Sequence, residues 1–130
     1  MLKTSRNTLV VDAYNANPSS VEAALANFSR MQAPSRMVML GDMLELGEDS
    51  VKEHVAVVRK ALGCGLDRIF VVGSEFGKAL DEIDYEGEEI MHFSTSDDLA
   101  GWKGMASIEG SVILIKGSRG TRMENVIEKL

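Results

Sequence analysis

Apolar positions along this chain fall into two alternating patterns. Short, nearly continuous apolar runs occupy residues 8–13, 36–40, 68–72, 89–93 and 112–116. They are mostly Val, Ile, Leu and Met with little in-and-out alternation, which predicts strands buried on both faces of a sheet. Between them the period changes. Val21, Ala24, Leu25, Phe28 and Met31 recur at helical spacing, as do Val51, Val55, Val58 and Leu62, and again Met123, Val126, Ile127 and Leu130. Each stripe predicts a helix with one buried face. Residues 96–106 form a weaker helical segment, because Gly101 and Gly104 each cost about 1 kcal/mol relative to Ala inside a helix.

Helix starts are marked by Ser19-Ser20-Val21-Glu22, Ser50-Val51-Lys52-Glu53 and Thr121-Arg122-Met123-Glu124, each fitting a capping box. Gly63 and Gly65 offer a left-handed residue to close the second helix. Strand-length runs alternating with helical stretches indicate βαβ units. The predicted fold class is therefore α/β: a Rossmann-like three-layer domain with a mostly parallel sheet of about five to six strands and helices on both faces. Residues 1–130 form a single domain, and the polar lead 1–7 reads as the remnant of an interdomain linker.

The 130 residues can bury a core without a disulfide or structural metal. They are few for an enzyme that binds a nucleotide and two further substrates, so the chain reads as part of a larger protein. A formal charge of -6, with no basic run, argues against nucleic acid. No apolar stretch reaches membrane-spanning length and no targeting signal opens the chain, so a cytoplasmic location is expected. Cys64, the one cysteine, reads as a structural thiol. His54 and His92 are too few and too dispersed for a metal site, and none is predicted.

In an open parallel sheet, chemistry collects in the loops at the carboxyl ends of the strands. After the first strand comes Asp12-Ala13-Tyr14-Asn15-Ala16-Asn17-Pro18. Asn17 as helix cap and Pro18 as first helical residue need no ligand, but that leaves Asp12, Tyr14 and Asn15 for binding or nothing. After the second strand comes Gly41-Asp42-Met43-Leu44-Glu45-Leu46-Gly47. Its apolar residues pack either on the chain's own sheet or on a partner domain, and Asp42 and Glu45 read as solvated acids unless a cation faces them. After the last strand comes Lys116-Gly117-Ser118-Arg119-Gly120-Thr121. Two cations at a predicted helix entrance make an anion site, or simply a solvated surface loop. The pattern Gly-x-x-x-x-Gly-Lys-Ser/Thr occurs nowhere. A receiver domain is disfavoured because Gly73-Ser74 stands where its phosphoacceptor carboxylate would be.

These three blocks, with His54 downstream of the second, resemble the C-terminal domain of the Mur ligases. The first block resembles a theme shared across that family and the folylpolyglutamate ligases. The other two are similar to its D-alanyl-D-alanine-adding branch. The resemblance implies a bacterial enzyme of peptidoglycan synthesis, with ATP and Mg2+ bound mainly by a central ATPase domain that this chain lacks, as it lacks the UDP-binding domain. It implies activation of the UDP-N-acetylmuramoyl tripeptide's carboxylate as an acyl phosphate, then attack by the amine of D-alanyl-D-alanine. Asp12, Tyr14 and Asn15 match the block facing ATP. Lys116, Ser118 and Arg119 match the block near the dipeptide, with Asp42 and Glu45 as candidates for its ammonium. No residue of this domain alone is expected to be catalytic, and the isolated domain is expected to be inactive. His54 reads as structural. The competing readings are a stand-alone nucleotide- or anion-binding regulatory module and a purely structural interaction domain.

Overall fold

A computed structural model describes residues 1–12 and 15–130. Six strands form one sheet: β1 (Leu2–Lys3), β2 (Thr8–Asp12), β3 (Arg36–Gly41), β4 (Arg68–Val72), β5 (Ile90–Phe93) and β6 (Val112–Lys116). Their order is β1-β2-β6-β3-β4-β5. Only the β1–β2 pair is antiparallel; the remaining neighbours run parallel. Helices α1 (Pro18–Ser29), α2 (Ser50–Leu62) and α3 (Ser74–Glu82) cover one face. The short α4 (Ser96–Ala100) and the 3-10 segments Lys103–Ser107 and Met123–Lys129 cover the other.

Successive strand residues feed opposite cores. Val38, Leu40, Ile69, Val71 and Leu114 pack with Val21, Leu25, Phe28, Val57 and Phe76. Met39, Phe70, Val72, Ile113 and Ile115 pack with Leu99, Met105, Met123, Val126 and Leu130. Because both faces are covered, polar residues have no place in the pleat, and the period of two vanishes from the sequence. The predicted three-layer α/β architecture is the one observed.

Several local expectations change. The start of α1 is set by Asn17, whose Oδ1 accepts from the Ser20 amide at 2.9 Å while the Ser20 hydroxyl accepts from the Asn17 amide at 3.1 Å. Pro18 takes the first helical position, so the expected Asn17–Pro18 start is the one observed and the capping box lies two residues ahead of the one expected at Ser19. Ser50 begins α2 without capping it; its hydroxyl instead donates to Glu75 Oε1 at 2.7 Å. The Thr121 hydroxyl turns back to the Ser118 carbonyl at 2.7 Å. The last segment then starts from left-handed Arg122 as a 3-10 helix, a period of three that points both Met123 and Val126 into the core. The strand expected over 89–93 begins at Ile90, and the helix expected over 96–106 splits into α4 and a 3-10 turn.

At the amino end of the sheet, Arg36 closes two helices together: its guanidinium donates to the carbonyls of Phe28, Ser29, Cys64 and Gly65. Gly65, at φ 68, supplies the left-handed residue after α2. Cys64 is half-buried and its thiol donates to the Lys60 carbonyl at 3.1 Å. The lead segment is tied into the domain: buried Asn7 donates from Nδ2 to the carbonyls of Ile108 and Leu130, both at 3.0 Å, and accepts from the Ser111 amide.

Candidate functional site

The strand order decides which candidate residues meet. β6 lies between β2 and β3, so Lys116 stands across from Asp12 on one side and Leu40 on the other. The Lys116 side chain is only 2% exposed, and its ammonium donates to Asp12 Oδ2 at 2.6 Å and to the Asn15 carbonyl at 2.9 Å. A buried ammonium is stable only when paired and hydrogen-bonded, and both conditions are met here. Asp12, 49% exposed, keeps a water-facing side. Lys116, read as a ligand for the acceptor, thus forms one unit with Asp12 and Asn15, read as ligands for the nucleotide. Tyr14 lies outside the described residues.

The loop after β3 is built from below. Asp42 is 5% exposed, and the expectation of a solvated acid is corrected. Its Oδ2 accepts from the Glu75 amide and its Oδ1 from the Phe76 amide, both at 3.0 Å. The carboxylate therefore caps α3 from a different strand and satisfies amides that a helix start leaves unpaired. Burial pushes the Asp42 carboxyl above its ordinary range, against the pull of those two amides. Gly73, the residue ahead of α3, has φ 118, and a Cβ there would lie 2.2 Å from the Asp42 carboxylate. Only glycine admits this approach. Asp42 also receives the β6 loop, since the Ser118 hydroxyl donates to its carbonyl at 2.8 Å.

Within the same loop Met43 is buried in the core and Leu46 packs half-buried beside it, so the loop packs on its own sheet. Leu44 is the outward residue, 45% exposed and set against Gly120. Glu45 is exposed, with a left-handed φ of 64. His54 is fully buried. Its Nε2 accepts from the Met43 amide at 3.0 Å, and its Nδ1 donates to the Ser50 carbonyl at 2.7 Å. Nε2 therefore carries no proton, and its 3.9 Å approach to Asp42 Oδ1 is not an ion pair.

Arg119 is exposed and opens a single 3-10 turn, Arg119–Thr121. The predicted helix entrance is absent, so side chains rather than a helix dipole would give this loop its affinity for anions. Two features escaped the sequence reading. Glu75 is held below the usual carboxylate range by hydrogen bonds from Ser50 and Lys78. Beside the β3 and β6 loops, Ser74, Thr95, Thr121, Arg122 and Asn125 line a cleft of about 420 Å³. Its signal was the hydroxyl run Ser94-Thr95-Ser96 after β5. No group of three or more His, Cys, Asp or Glu among the described residues could hold a metal ion. None of the described helices is long and apolar enough to cross a membrane.

Residues 1–119 match the model of the family described as "Mur ligase, glutamate ligase domain". The chain belongs to the Mur ligase family. Relatives named UDP-N-acetylmuramoyl-tripeptide--D-alanyl-D-alanine ligase include that of Escherichia coli, 35% identical over 99% of this chain and 28% of its own length. The Bacillus subtilis protein of that name is 32% identical over 100% of this chain and 29% of its own length. Among solved structures, MurF from Acinetobacter baumannii superposes with a TM-score of 0.82 at 28% identity, over 99% of this chain and 29% of that one. MurF ligase from Thermotoga maritima in complex with ADP superposes with a TM-score of 0.79 at 26% identity, over 98% and 29%. This Mur ligase domain thus spans under a third of the length of the relatives it matches.

Proposed function

We propose that this Mur ligase domain serves an ATP-dependent ligase that joins D-alanyl-D-alanine to the UDP-N-acetylmuramoyl tripeptide, closing over the nucleotide and orienting the incoming dipeptide. The observation that carries this reading is geometric. Asp12, Asn15, Lys116, Ser118 and Asp42 lie side by side on the carboxyl edge of β2, β6 and β3, linked by hydrogen bonds. An edge of this kind is where open parallel sheets bind ligands. The names of the relatives and the ADP-bound Thermotoga structure support the choice of ligands.

Asp12 fits a nucleotide: Lys116 holds one carboxylate oxygen, and its exposed side can accept from a ribose hydroxyl, with Tyr14 and Asn15 beside it in sequence. In this reading ATP and Mg2+ are bound mainly by the central ATPase domain of the larger ligase. ATP supplies the phosphoryl group that activates the tripeptide carboxylate. The acceptor side falls to Ser118 and exposed Arg119, whose positive charge suits the dipeptide carboxylate, and to exposed Glu45, which suits its ammonium. Asp42 acts on that side by holding the loop, since its oxygens are committed to α3. The contribution of this edge to rate is orientation and exclusion of water, which together supply several kcal/mol.

The test fuses this chain to the amino-terminal part of the Escherichia coli relative in place of that protein's own matching segment. Arg119→Ala is expected to raise the KM for D-alanyl-D-alanine more than that for ATP, by about tenfold. Unchanged dipeptide kinetics in this variant would overturn the assignment.

A further inference from the structure

The β3 loop carries no regular structure between Gly41 and Gly47, yet it presents Glu45 and receives Ser118. Part of what fixes it lies outside the loop. His54, on the second turn of α2, reaches back with two directional bonds: Nε2 accepts the Met43 N–H at 3.0 Å and Nδ1 donates to the Ser50 carbonyl at 2.7 Å. Its ring stands edge-on to Phe76 at 4.6 Å and 86°. Phe76 in turn gives its amide to Asp42. Met43 lies between Asp42, which carries the Ser118 contact, and Leu44, which touches Gly120. The one amide gripped by His54 is thus adjacent to two of the contacts that join the β3 loop to the β6 loop.

We infer that His54 is the positioning residue of the acceptor side: as a neutral imidazole protonated on Nδ1, it sets the β3 loop through the Met43 amide, and through that loop it sets Ser118 and Arg119. It touches no substrate. The inference rests on the proposed ligase reading only for its kinetic consequence; the loop claim stands on the hydrogen bonds alone. Leaving the Met43 amide buried without an acceptor frees the loop, and dipeptide affinity falls while nucleotide affinity, centred on Asp12 and β2, does not.

Two variants separate this role from mere core filling. His54→Gln keeps an acceptor at the distal position facing Met43. His54→Asn keeps only the proximal donor facing Ser50. In the 130-residue chain, hydrogen exchange at the Met43 amide is expected to stay near wild type in His54→Gln and to speed up about tenfold in His54→Asn. Nitrogen chemical shifts of the imidazole are expected to show Nδ1 protonated and Nε2 bare. In the fusion, His54→Asn is expected to raise the dipeptide KM about tenfold with the KM for ATP within about twofold, and His54→Gln to restore it. Equal exchange and equal dipeptide KM in the two folded variants, or a proton on Nε2, would overturn the inference. If His54→Asn does not fold, the imidazole shifts and the His54→Gln exchange rate still decide it. A fusion with no dipeptide-dependent turnover in the unmutated chain would count against the ligase reading, while the exchange data would continue to decide the loop claim.

Discussion

At the residue scale, the pairing of Lys116 with Asp12 changes how both should be perturbed. A buried ammonium that loses its carboxylate is left uncompensated, so the two side chains act as one unit. In a double-mutant cycle on unfolding free energy, Lys116→Met and Asp12→Asn are expected to be non-additive by about 1 kcal/mol, less than for a fully buried pair because Asp12 is half exposed. Additivity would mean that the pair contributes nothing as a pair. Two carboxyls make opposite contributions to pH dependence. Asp42, raised by burial, lets the folded state hold more protons than the unfolded one above the ordinary value of 3.8, so its contribution falls as pH rises through that window. Glu75, lowered by Ser50 and Lys78, stabilises the fold above 4.5 and loses that contribution as pH falls through its lowered value. Glu75→Gln is therefore expected to flatten the loss of Tm as pH falls below about 4.5. An unchanged slope would remove Glu75 from the account.

At the element scale, the sequence was clearest where one element carries its own signal and weakest where two must meet. The buried runs of β2, β3, β4 and β6 and the stripes of α1 and α2 are visible because each strand or helix face buries itself locally. α3 was missed. Phe76, Ala79, Leu80 and Ile83 do repeat at helical spacing, but Gly77 interrupts them and the cap comes from Asp42, far away in sequence. Capping boxes at Ser50 and Thr121 misled because those hydroxyls found better partners in Glu75 and the Ser118 carbonyl. The borrowed cap makes a sharp prediction: Asp42→Ala should cost about 1–2 kcal/mol, the usual value of a lost helix cap. Gly73→Ala forces a Cβ against the Asp42 carboxylate at a positive φ and should cost about 3 kcal/mol. Urea unfolding measures both, and a Gly73→Ala variant as stable as the parent would contradict the tight approach.

At the scale of the whole molecule, the three sequence blocks meet on one edge of the predicted fold, but the sequence does not say how that edge is wired. Three loops rich in polar residues after three strands were legible because carboxyl-end loops are where an open sheet puts its chemistry. The insertion of β6 between β2 and β3, which joins Lys116 to Asp12 and Ser118 to Asp42, follows from a long-range crossover that no local pattern records. That wiring joins the loop proposed for the nucleotide, after β2, to the loop proposed for the acceptor, after β3, through β6. The central claim is that this edge completes a ligase. The most direct measurement is ADP release by the fusion carrying this chain, followed as D-alanyl-D-alanine is titrated in the presence of ATP and the UDP-linked tripeptide. The account predicts saturable, dipeptide-dependent release that is lost when this chain is deleted. A folded fusion that releases ADP at the same rate with and without the dipeptide would contradict it.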